Sequence, residues 1–362
     1  MATTTVNATC ACKAFTYTIE FPNWSLTISR ALCLCTMCRQ ETGSCGISYI
    51  RLPSDNTLDP AEYNLTSFTP KPSFTRYFCS TCGSHVLFSY NGQEGNSWHM
   101  STGIWDKTEG IVNWTGTKWI EGTLDGGISV WLKDIEDQNG MKRALPRCLF
   151  NDGDGKELIP EGALQRLPPR ERTKEQEENL QARCYCGGVK FYITRPNDDS
   201  MKAESPYPDL IVPFHSGSNA NPKKEPWFLR SNDTKYLAGL CTCTSCRENS
   251  GFEIQPWAFV PKCNIFKEDG TPLDFDFGTL KRYGSSEGVM REFCKVCGAT
   301  VFWHCDWRPS VIDVSVGLLD PEEGSRVESW LDWWTDRVSF SEMAVSKNLV
   351  KSLEEGMKGW KQ

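Results

Sequence analysis

The 362-residue sequence has little of several features that define common protein classes. It contains no run of eighteen apolar residues, so we expect no membrane-spanning helix. Its 39 lysines and arginines are outnumbered by 46 aspartates and glutamates, and no basic run is present. A chain with a net charge of −7 is not expected to bind nucleic acid through bulk electrostatics. The N-terminal residues lack a charged segment followed by an apolar core, so we expect no secretory signal and a cytoplasmic location.

Histidine is also scarce, with four residues, whereas cysteine is abundant, with eighteen. Most of the cysteines follow one pattern that occurs twice: Cys-x-Cys, then Cys-x-Cys-x-x-Cys, then Cys-x-x-Cys-Gly. Cysteines spaced so closely rarely reach disulfide geometry with each other. Two thiolates on one tight turn can instead occupy two corners of a zinc tetrahedron. The pattern therefore predicts a zinc protein and disfavours a disulfide framework.

The seven thiolates of each copy divide into a set of four and a set of three. The Cys-x-Cys and Cys-x-x-Cys-Gly motifs together supply the four ligands that close a structural zinc site. These four-cysteine sets are Cys10, Cys12, Cys79 and Cys82 in the first copy and Cys184, Cys186, Cys294 and Cys297 in the second. The compact Cys-x-Cys-x-x-Cys motif supplies three ligands and leaves one coordination position open for chemistry. These three-cysteine sets, the catalytic candidates, are Cys33, Cys35 and Cys38 and then Cys241, Cys243 and Cys246. We expect about two zinc ions per copy and about four per chain.

No fourth ligand for the three-cysteine sets repeats in both copies, because neither His85 nor His99 has a histidine counterpart in the second copy. Three thiolates on Zn²⁺ carry a net charge of about −1, so an added anionic ligand would favour a nearby cation. Arg39 and Arg247 directly follow the two three-cysteine motifs. We predict that these two arginines bind substrate.

Two other interpretations of the cysteines were weighed against the zinc sites. Buried reduced thiols in a β core would not require the same doublet spacing twice. A single metallothionein-like cluster of all seven thiolates is disfavoured by the β-rich sequence between the motifs. The remaining cysteines, which have no counterpart in the other copy, are interpreted as incidental buried thiols: Cys45, Cys148, Cys263 and Cys305.

The duplicated pattern indicates two domains in one chain. We predict a first zinc domain at 1–135, a linker at 136–178, a second zinc domain at 179–345 and a tail at 346–362. The second copy is longer, because 55 positions lead from Cys186 to Cys241 but only 21 from Cys12 to Cys33. The additional segment, near 196–230, is rich in proline and glycine and is predicted to be a long surface loop, either functional or mobile.

Short runs of β-branched and aromatic residues between turn residues predict a mainly β fold built from antiparallel sheets. The runs lie at 14–19, 85–90, 189–193, 299–303 and 311–316. Helical periodicity is weak, although an apolar stripe near the C-terminus indicates a possible short helix. Its members are Ala344, Val345, Leu349, Leu353 and Met357. Both copies are therefore interpreted as β domains pinned by zinc.

With these motifs, each copy resembles a domain of the glutathione-dependent formaldehyde-activating enzyme family, which also includes centromere protein V. The resemblance rests on Cys-x-Cys, Cys-x-Cys-x-x-Cys-Arg, Phe-Cys-x-x-Cys-Gly and a later Gly-x-x-Asp segment beginning at Gly103 and Gly317. It implies a tent-like β fold with one four-thiolate and one three-thiolate zinc per domain. It also implies that glutathione binds the latter through its sulfur. The first copy departs from the usual Cys-x-Cys-Gly opening, because Lys13 stands where the second copy has Gly187.

Together these features favour a zinc-dependent carbon–sulfur lyase or transferase, similar to S-(hydroxymethyl)glutathione synthase. Its expected partners are glutathione or a glutathione adduct of an aldehyde or other small electrophile, with no nucleic acid and no membrane. The longer second copy suggests a specialised substrate in a pocket that the inserted loop covers or that lies between the copies. Two alternatives stay open. The zinc could support dehydration or hydrolysis of a non-thiol metabolite, or the chain could be a non-catalytic zinc-stabilised binding module.

Overall fold

The computed structural model describes residues 3–22, 28–53, 58–92, 95–137, 140–150, 157–159 and 173–360. The strands of the first half are β1 (Thr3–Thr9), β2 (Thr16–Pro22), β3 (Ile28–Cys33), β4 (Tyr49–Arg51), β5 (Leu65–Lys71), β6 (Phe74–Cys79), β7 (His85–Gly92), β8 (Gly95–Ser101), β9 (Val112–Lys118), β10 (Asp134–Glu136) and β11 (Lys142–Ala144). Those of the second half are β12 (Asn179–Arg183), β13 (Lys190–Thr194), β14 (Leu229–Arg230), β15 (Lys235–Cys241), β16 (Gln255–Pro261), β17 (Ile265–Lys267), β18 (Leu280–Ser286), β19 (Val289–Cys294), β20 (Thr300–Cys305), β21 (Val311–Ser315) and β22 (Leu331–Trp333). The α-helices are α1 (Thr36–Thr42), α2 (Lys174–Glu178), α3 (Thr244–Ser250) and α4 (Lys347–Trp360). The mainly β prediction is confirmed, and none of the helices described could span a membrane.

Both halves contain the same antiparallel five-stranded arrangement. Its order is β4-β8-β7-β6-β5 in the first half and β16-β21-β20-β19-β18 in the second. The registers also correspond, since Tyr49 pairs with Ser101 and Trp257 pairs with Ser315. In the second half the sheet continues through β15 to β14. The β-branched and aromatic runs of the sequence supply these strands because such side chains pack well on a pleated, half-buried surface.

A second repeated feature positions the three-cysteine sets. The strand that ends at the first cysteine of each set pairs in parallel with a strand far along the chain, β3 with β9 and β15 with β22. Cys33 is the last residue of β3, and Cys241 is the last residue of β15. Each set therefore begins where a strand held on one side by a distant partner leaves the sheet.

The two halves pack against each other in a reciprocal way. Helix α3 contacts the 3₁₀ turn that follows β8, and α1 contacts the equivalent turn after β21. Gly103 N donates to Gly251 O at 3.1 Å, and Gly317 N donates to Gly43 O at 3.2 Å. A Cβ atom on Gly103 would lie only 2.2 Å from Phe252 N, so the backbones approach too closely for any other residue. The Gly-x-x-Asp segments shared by the copies thus form part of the contact between them.

The C-terminal segment packs on the first half of the chain. The predicted C-terminal helix is confirmed as α4, with Leu349, Leu353 and Met357 fully buried on one side, whereas Ala344 and Val345 of the predicted stripe lie before its first residue. Trp114 Nε1 donates to Ser346 Oγ at 2.8 Å, just before that helix begins. Part of the predicted linker also pairs with the first half, since β11 pairs with β10. The domain boundaries drawn from the sequence stay predictions.

The inserted segment of the second copy lies packed against the sheet. Leu210, Trp227 and Phe228 are buried, although the segment has only two 3₁₀ turns and the short β14 as regular elements. Leu210 fills the space beside Gly239, where a Cβ atom would lie 2.2 Å from Leu210 Cδ2. The segment is a loop, as predicted, and its apolar side chains anchor it to β15.

Candidate metal centres and the adjoining cavity

The sulfur atoms of each four-cysteine set come together in the folded chain. Within each set the Sγ atoms lie within 4.8 Å of one another. Cys12 Sγ lies 3.6 Å from Cys10 Sγ and 3.5 Å from Cys79 Sγ, and Cys186 Sγ lies 3.5 Å from both Cys184 Sγ and Cys294 Sγ. Thiolates bound to one tetrahedral zinc at about 2.3 Å are roughly 3.8 Å apart. The donor type and the spacing therefore fit a four-coordinate metal.

Local turns create these four-cysteine sets. The Cys-x-Cys motif lies in the turn after β1 or β12, and the Cys-x-x-Cys-Gly motif lies in the turn after β6 or β19. Backbone amides point at the sulfurs: Phe15 N donates to Cys10 Sγ and Val189 N donates to Cys184 Sγ, both at 3.3 Å. Hydrogen bonds of this kind stabilise thiolate over thiol. The turns thus direct hydrogen-bond donors at sulfurs that a metal would hold as thiolates.

The first copy forms its Cys-x-Cys turn without the usual glycine. Lys13 adopts a left-handed φ of 64°, close to the φ of 73° at Gly187. Lys13 N donates to Cys10 O at 2.8 Å, and Gly187 N donates to Cys184 O at 3.0 Å. A non-glycine residue is uncommon in this conformation but is sterically allowed there. The departure from the family pattern therefore leaves the turn unchanged.

The three-cysteine sets lie at the start of α1 and α3. Cys35 is the N-cap residue of α1, and Cys38 N donates to Cys35 Sγ at 3.4 Å. Cys33 Sγ lies 3.6 Å from both of the other sulfurs in its set. Cys243 is the corresponding N-cap of α3. Across the described residues, no further cysteine, histidine or carboxylate ligand atom joins either group of three.

Each three-cysteine set is contacted by an arginine that the sequence reasoning missed. Arg76 Nη2 donates to Cys38 Sγ at 3.1 Å. Arg291 Nη2 lies 3.5 Å from Cys246 Sγ and donates to Ser245 Oγ at 2.9 Å. Both arginines are buried, and both stand three residues before the first cysteine of Phe-Cys-x-x-Cys-Gly. This shared spacing could have identified the two arginines from the sequence, since it places a cation at the same position relative to the motif in both copies.

The two arginines differ in their counter-charges. Arg76 also pairs with the buried carboxylate of Glu41, whose position is taken by Asn249 in the second copy. Burial raises the pKa of Glu41 to about 7, although the charge of Arg76 opposes that rise. Burial would lower the pKa of Arg291, but the neighbouring thiolates, with Cys246 foremost, raise it above its usual value. In the second copy the thiolates themselves are the main counter-charge of the arginine.

Arg39 and Arg247 lie beside the three-cysteine sets, but their guanidinium groups bind backbone carbonyls. Arg39 Nη2 donates to Gly122 O at 2.8 Å. Arg247 Nη1 donates to Gly103 O at 2.6 Å and to Trp105 O at 2.7 Å, both on the other half of the chain. Their predicted substrate binding stays a prediction. The contacts observed are structural, and the cation that touches sulfur is a different arginine.

A cavity of about 630 Å³ opens at the second three-cysteine set. Cys241, Cys243 and Cys246 line it together with Arg291, and residues 206–210 of the inserted segment close one side. A cavity covered by the inserted segment is therefore present, as one of the two suggested locations required, and its use as the substrate pocket stays a prediction. This cavity does not lie at the other suggested location, which was between the two copies.

The four cysteines without counterparts stand apart from the clusters. Cys45, Cys148 and Cys305 are buried, as expected of incidental thiols, whereas Cys263 is exposed. The prediction of burial is therefore wrong for Cys263. The fourteen repeated cysteines account for every group of three or more candidate ligands found in the described residues.

Comparison with known proteins gives one family. A sequence model of the glutathione-dependent formaldehyde-activating enzyme family matches residues 5–120 and again residues 229–337, which together make up more than half of the chain. A search of curated proteins finds no significant match. The second match begins at the end of the inserted segment, so Cys184 and Cys186 fall outside it, yet the fold brings them to Cys294 and Cys297. The repeated sheet, the repeated cysteine clusters and the two matches agree that the chain belongs to the glutathione-dependent formaldehyde-activating enzyme family and carries the family's domain twice.

Proposed function

We propose that this protein is a zinc-dependent carbon–sulfur lyase or transferase that acts on glutathione adducts of an electrophilic small molecule. The family supports glutathione-linked aldehyde chemistry. One observation carries the proposal for this chain: three sulfur atoms, which no fourth ligand joins among the residues that the structure describes, face a cavity of about 630 Å³ in the second copy. A three-ligand metal site beside a cavity is the arrangement typical of catalysis, whereas four-ligand sites are typical of structure.

The two kinds of cluster would hold zinc for different purposes. In the four-cysteine sets, zinc would tie the turn after the first strand of each copy to the turn between two sheet strands, and so stabilise the fold. At Cys241, Cys243 and Cys246, zinc would bind an incoming thiol as thiolate and orient it beside its electrophile. We place the corresponding site of the first copy at Cys33, Cys35 and Cys38. Four zinc ions per chain follow from this assignment.

Arg291 supplies the charge that this chemistry needs in the second copy. Three thiolates and Zn²⁺ carry about −1, and a fourth thiolate would make about −2. Such a charge is costly inside a protein unless a cation lies near it. Arg291 is buried and lies 3.5 Å from Cys246 Sγ, so it lowers that cost. Arg76 holds the equivalent place in the first copy, 3.1 Å from Cys38 Sγ.

With an aldehyde adduct, the reaction forms or breaks one carbon–sulfur bond. In synthesis, the thiolate sulfur forms a bond to the carbonyl carbon, the π electrons move to oxygen, and that oxygen takes a proton. In the lyase direction, the hydroxyl loses its proton, the carbonyl reforms, and the sulfur leaves as thiolate. Asp313 lines the cavity and is paired with Arg308, and burial raises the pKa of Asp313 to about 6. Of the two carboxyl groups that line the cavity, Asp313 is the one we assign to the exchange of this proton, because its pKa is raised toward neutrality.

Cobalt substitution tests the open coordination position. Glutathione added to the cobalt-substituted chain should strengthen the sulfur-to-metal charge-transfer absorption, because a further thiolate enters the coordination sphere. S-methylglutathione cannot ionise at sulfur and should do so far less. Cys246→Ser should remove the response of the second copy and Cys38→Ser that of the first. If neither ligand changes the spectrum at saturation, the three-cysteine sites are closed to thiols and the lyase proposal fails.

A further inference from the structure

The inserted segment is fastened over the second three-cysteine set by one buried carboxylate. Asp209 is 3% exposed and accepts hydrogen bonds from Phe214 N at 2.9 Å, Ser339 Oγ at 2.9 Å and Phe340 N at 2.8 Å. Its Oδ2 also lies 3.2 Å from Arg337 Nη2. These bonds join the insertion to the segment after β22. These contacts hold the inserted segment as a roof over the cavity, and so they set the volume of the cavity.

Aromatic rings form much of the cavity wall. Trp257, Phe259, Trp303, Trp307 and Phe340 all line it. Trp307 is 57% exposed at the mouth, and its ring lies 6.4 Å from that of Trp303 in an edge-to-face contact. A large aromatic side chain left in solvent beside a cavity is typical of a binding surface for apolar groups.

The charged residues of the lining already have counter-charges. Asp313 pairs with Arg308, Asp209 pairs with Arg337, and Arg291 lies against the thiolates. Among the lining residues that the structure describes, the two carboxylates of glutathione would therefore meet no uncommitted cation. A neutral, flat group would bury apolar area against the rings without breaking an ion pair.

The corresponding wall of the first copy is chemically different. Because the two sheets share their register, Arg51 occupies the position of Phe259 and His99 that of Asp313. Tyr49 and Phe88 occupy the positions of Trp257 and Trp303, so the first copy keeps two of the rings. The second copy differs by an aromatic ring where the first has Arg51 and by a carboxylate where the first has His99. A one-carbon electrophile such as formaldehyde would leave most of about 630 Å³ unfilled, whereas cavities of this size suit drug-sized ligands.

We infer that the second copy takes a thiol adduct whose electrophile half is aromatic, with the sulfur at Cys241, Cys243 and Cys246 and the ring packed against Trp303 and Trp307. This inference rests on the proposed function, because that function places the sulfur of the adduct at the three-cysteine set. The peptide part of glutathione would then extend through the mouth of the cavity, away from its paired charges. The specificity lies in the electrophile and is supplied by residues outside the metal cluster.

The test compares two thiols of similar acidity on the cobalt-substituted full chain. Benzyl mercaptan carries its ring on the carbon bonded to sulfur, as an aromatic aldehyde adduct does, and 2-mercaptoethanol has no ring. Half-saturation of the charge-transfer absorption should need at least about tenfold less benzyl mercaptan, because the ring buries apolar area. Trp307→Ala should reduce that preference at least about threefold while leaving 2-mercaptoethanol unchanged. Trp119→Ala, which removes another exposed tryptophan outside the cavity, is the matched control and should keep the preference.

The outcomes separate the two proposals. If neither thiol changes the spectrum, the proposed function fails, and this inference fails with it. If both thiols bind with equal half-saturation, the thiol site stands and the aromatic specificity is refuted. If the preference survives in Trp307→Ala, the ring binds elsewhere and the assignment to this wall is refuted.

Discussion

Replacing Arg291 by glutamine should weaken metal binding at the second three-cysteine set alone. Arg291 Nη2 lies 3.5 Å from Cys246 Sγ, and the side chain is buried. At this separation a pair of opposite charges gains roughly 4–5 kcal/mol with an effective dielectric constant of about 20. Part of that gain is offset by the cost of burying a guanidinium group. We expect a net loss of about 2 kcal/mol, which corresponds to roughly 30-fold weaker binding at that cluster.

Competition with a chromophoric zinc chelator measures this loss. Only one of the four clusters should release its metal earlier in Arg291→Gln, so one quarter of the zinc should shift and the rest should stay. Arg291→Lys keeps the charge without the planar fork and should recover part of the affinity. Lys351→Gln removes an exposed cation on α4 and serves as the control. Zinc release identical to that of the unmodified chain would refute the role given to Arg291.

Three further predictions follow from the clusters and from the contact between the copies. Cys297→Ser removes a ligand that ties distant strands together and should lower thermal stability severely, whereas Cys246→Ser should leave a largely folded protein that no longer binds thiol at the second copy; equal loss of stability in thermal melts would contradict the four-plus-three division. Burial raises the pKa of Glu253 to about 7, although a hydrogen bond from Thr102 acts to lower it. Ionisation of this carboxyl group therefore destabilises the fold as the pH rises from about 4.5 to 7, and the penalty persists above pH 7. Glu253→Gln should therefore be about 3 kcal/mol more stable than the unmodified chain at pH 8 but close to it near pH 5 in denaturant titrations, and a difference independent of pH would count against this reasoning. Gly103→Val should destabilise the chain by several kcal/mol, because a Cβ there would lie 2.2 Å from Phe252 N, just after α3. An unchanged free energy of unfolding would show that this contact between the copies is dispensable.

The sequence alone determined which cysteines act together. Ligand spacing is a local property of a turn, so Cys10-x-Cys12 and Cys79-x-x-Cys82 could be read as halves of one tetrahedral site before any fold was known. The strand at 85–90 could also be predicted, because the pattern of β-branched and aromatic residues along one strand can be recognised without knowing its partner strands. Even the duplicated sheet followed once the duplicated motifs were recognised.

Tertiary structure decided what surrounds those cysteines. Adjacency in sequence pointed to Arg39 and Arg247, yet the guanidinium groups that touch sulfur belong to Arg76 and Arg291, on strands far along the chain. The roof fastened by Asp209 likewise joins residues more than a hundred positions apart, and the aromatic wall combines side chains from separate strands. Local spacing is fixed by bond geometry within a turn, whereas the groups that set charge and shape around a site arrive through packing of distant strands. That packing is why the metal ligands could be predicted and the residues that would choose the substrate could not.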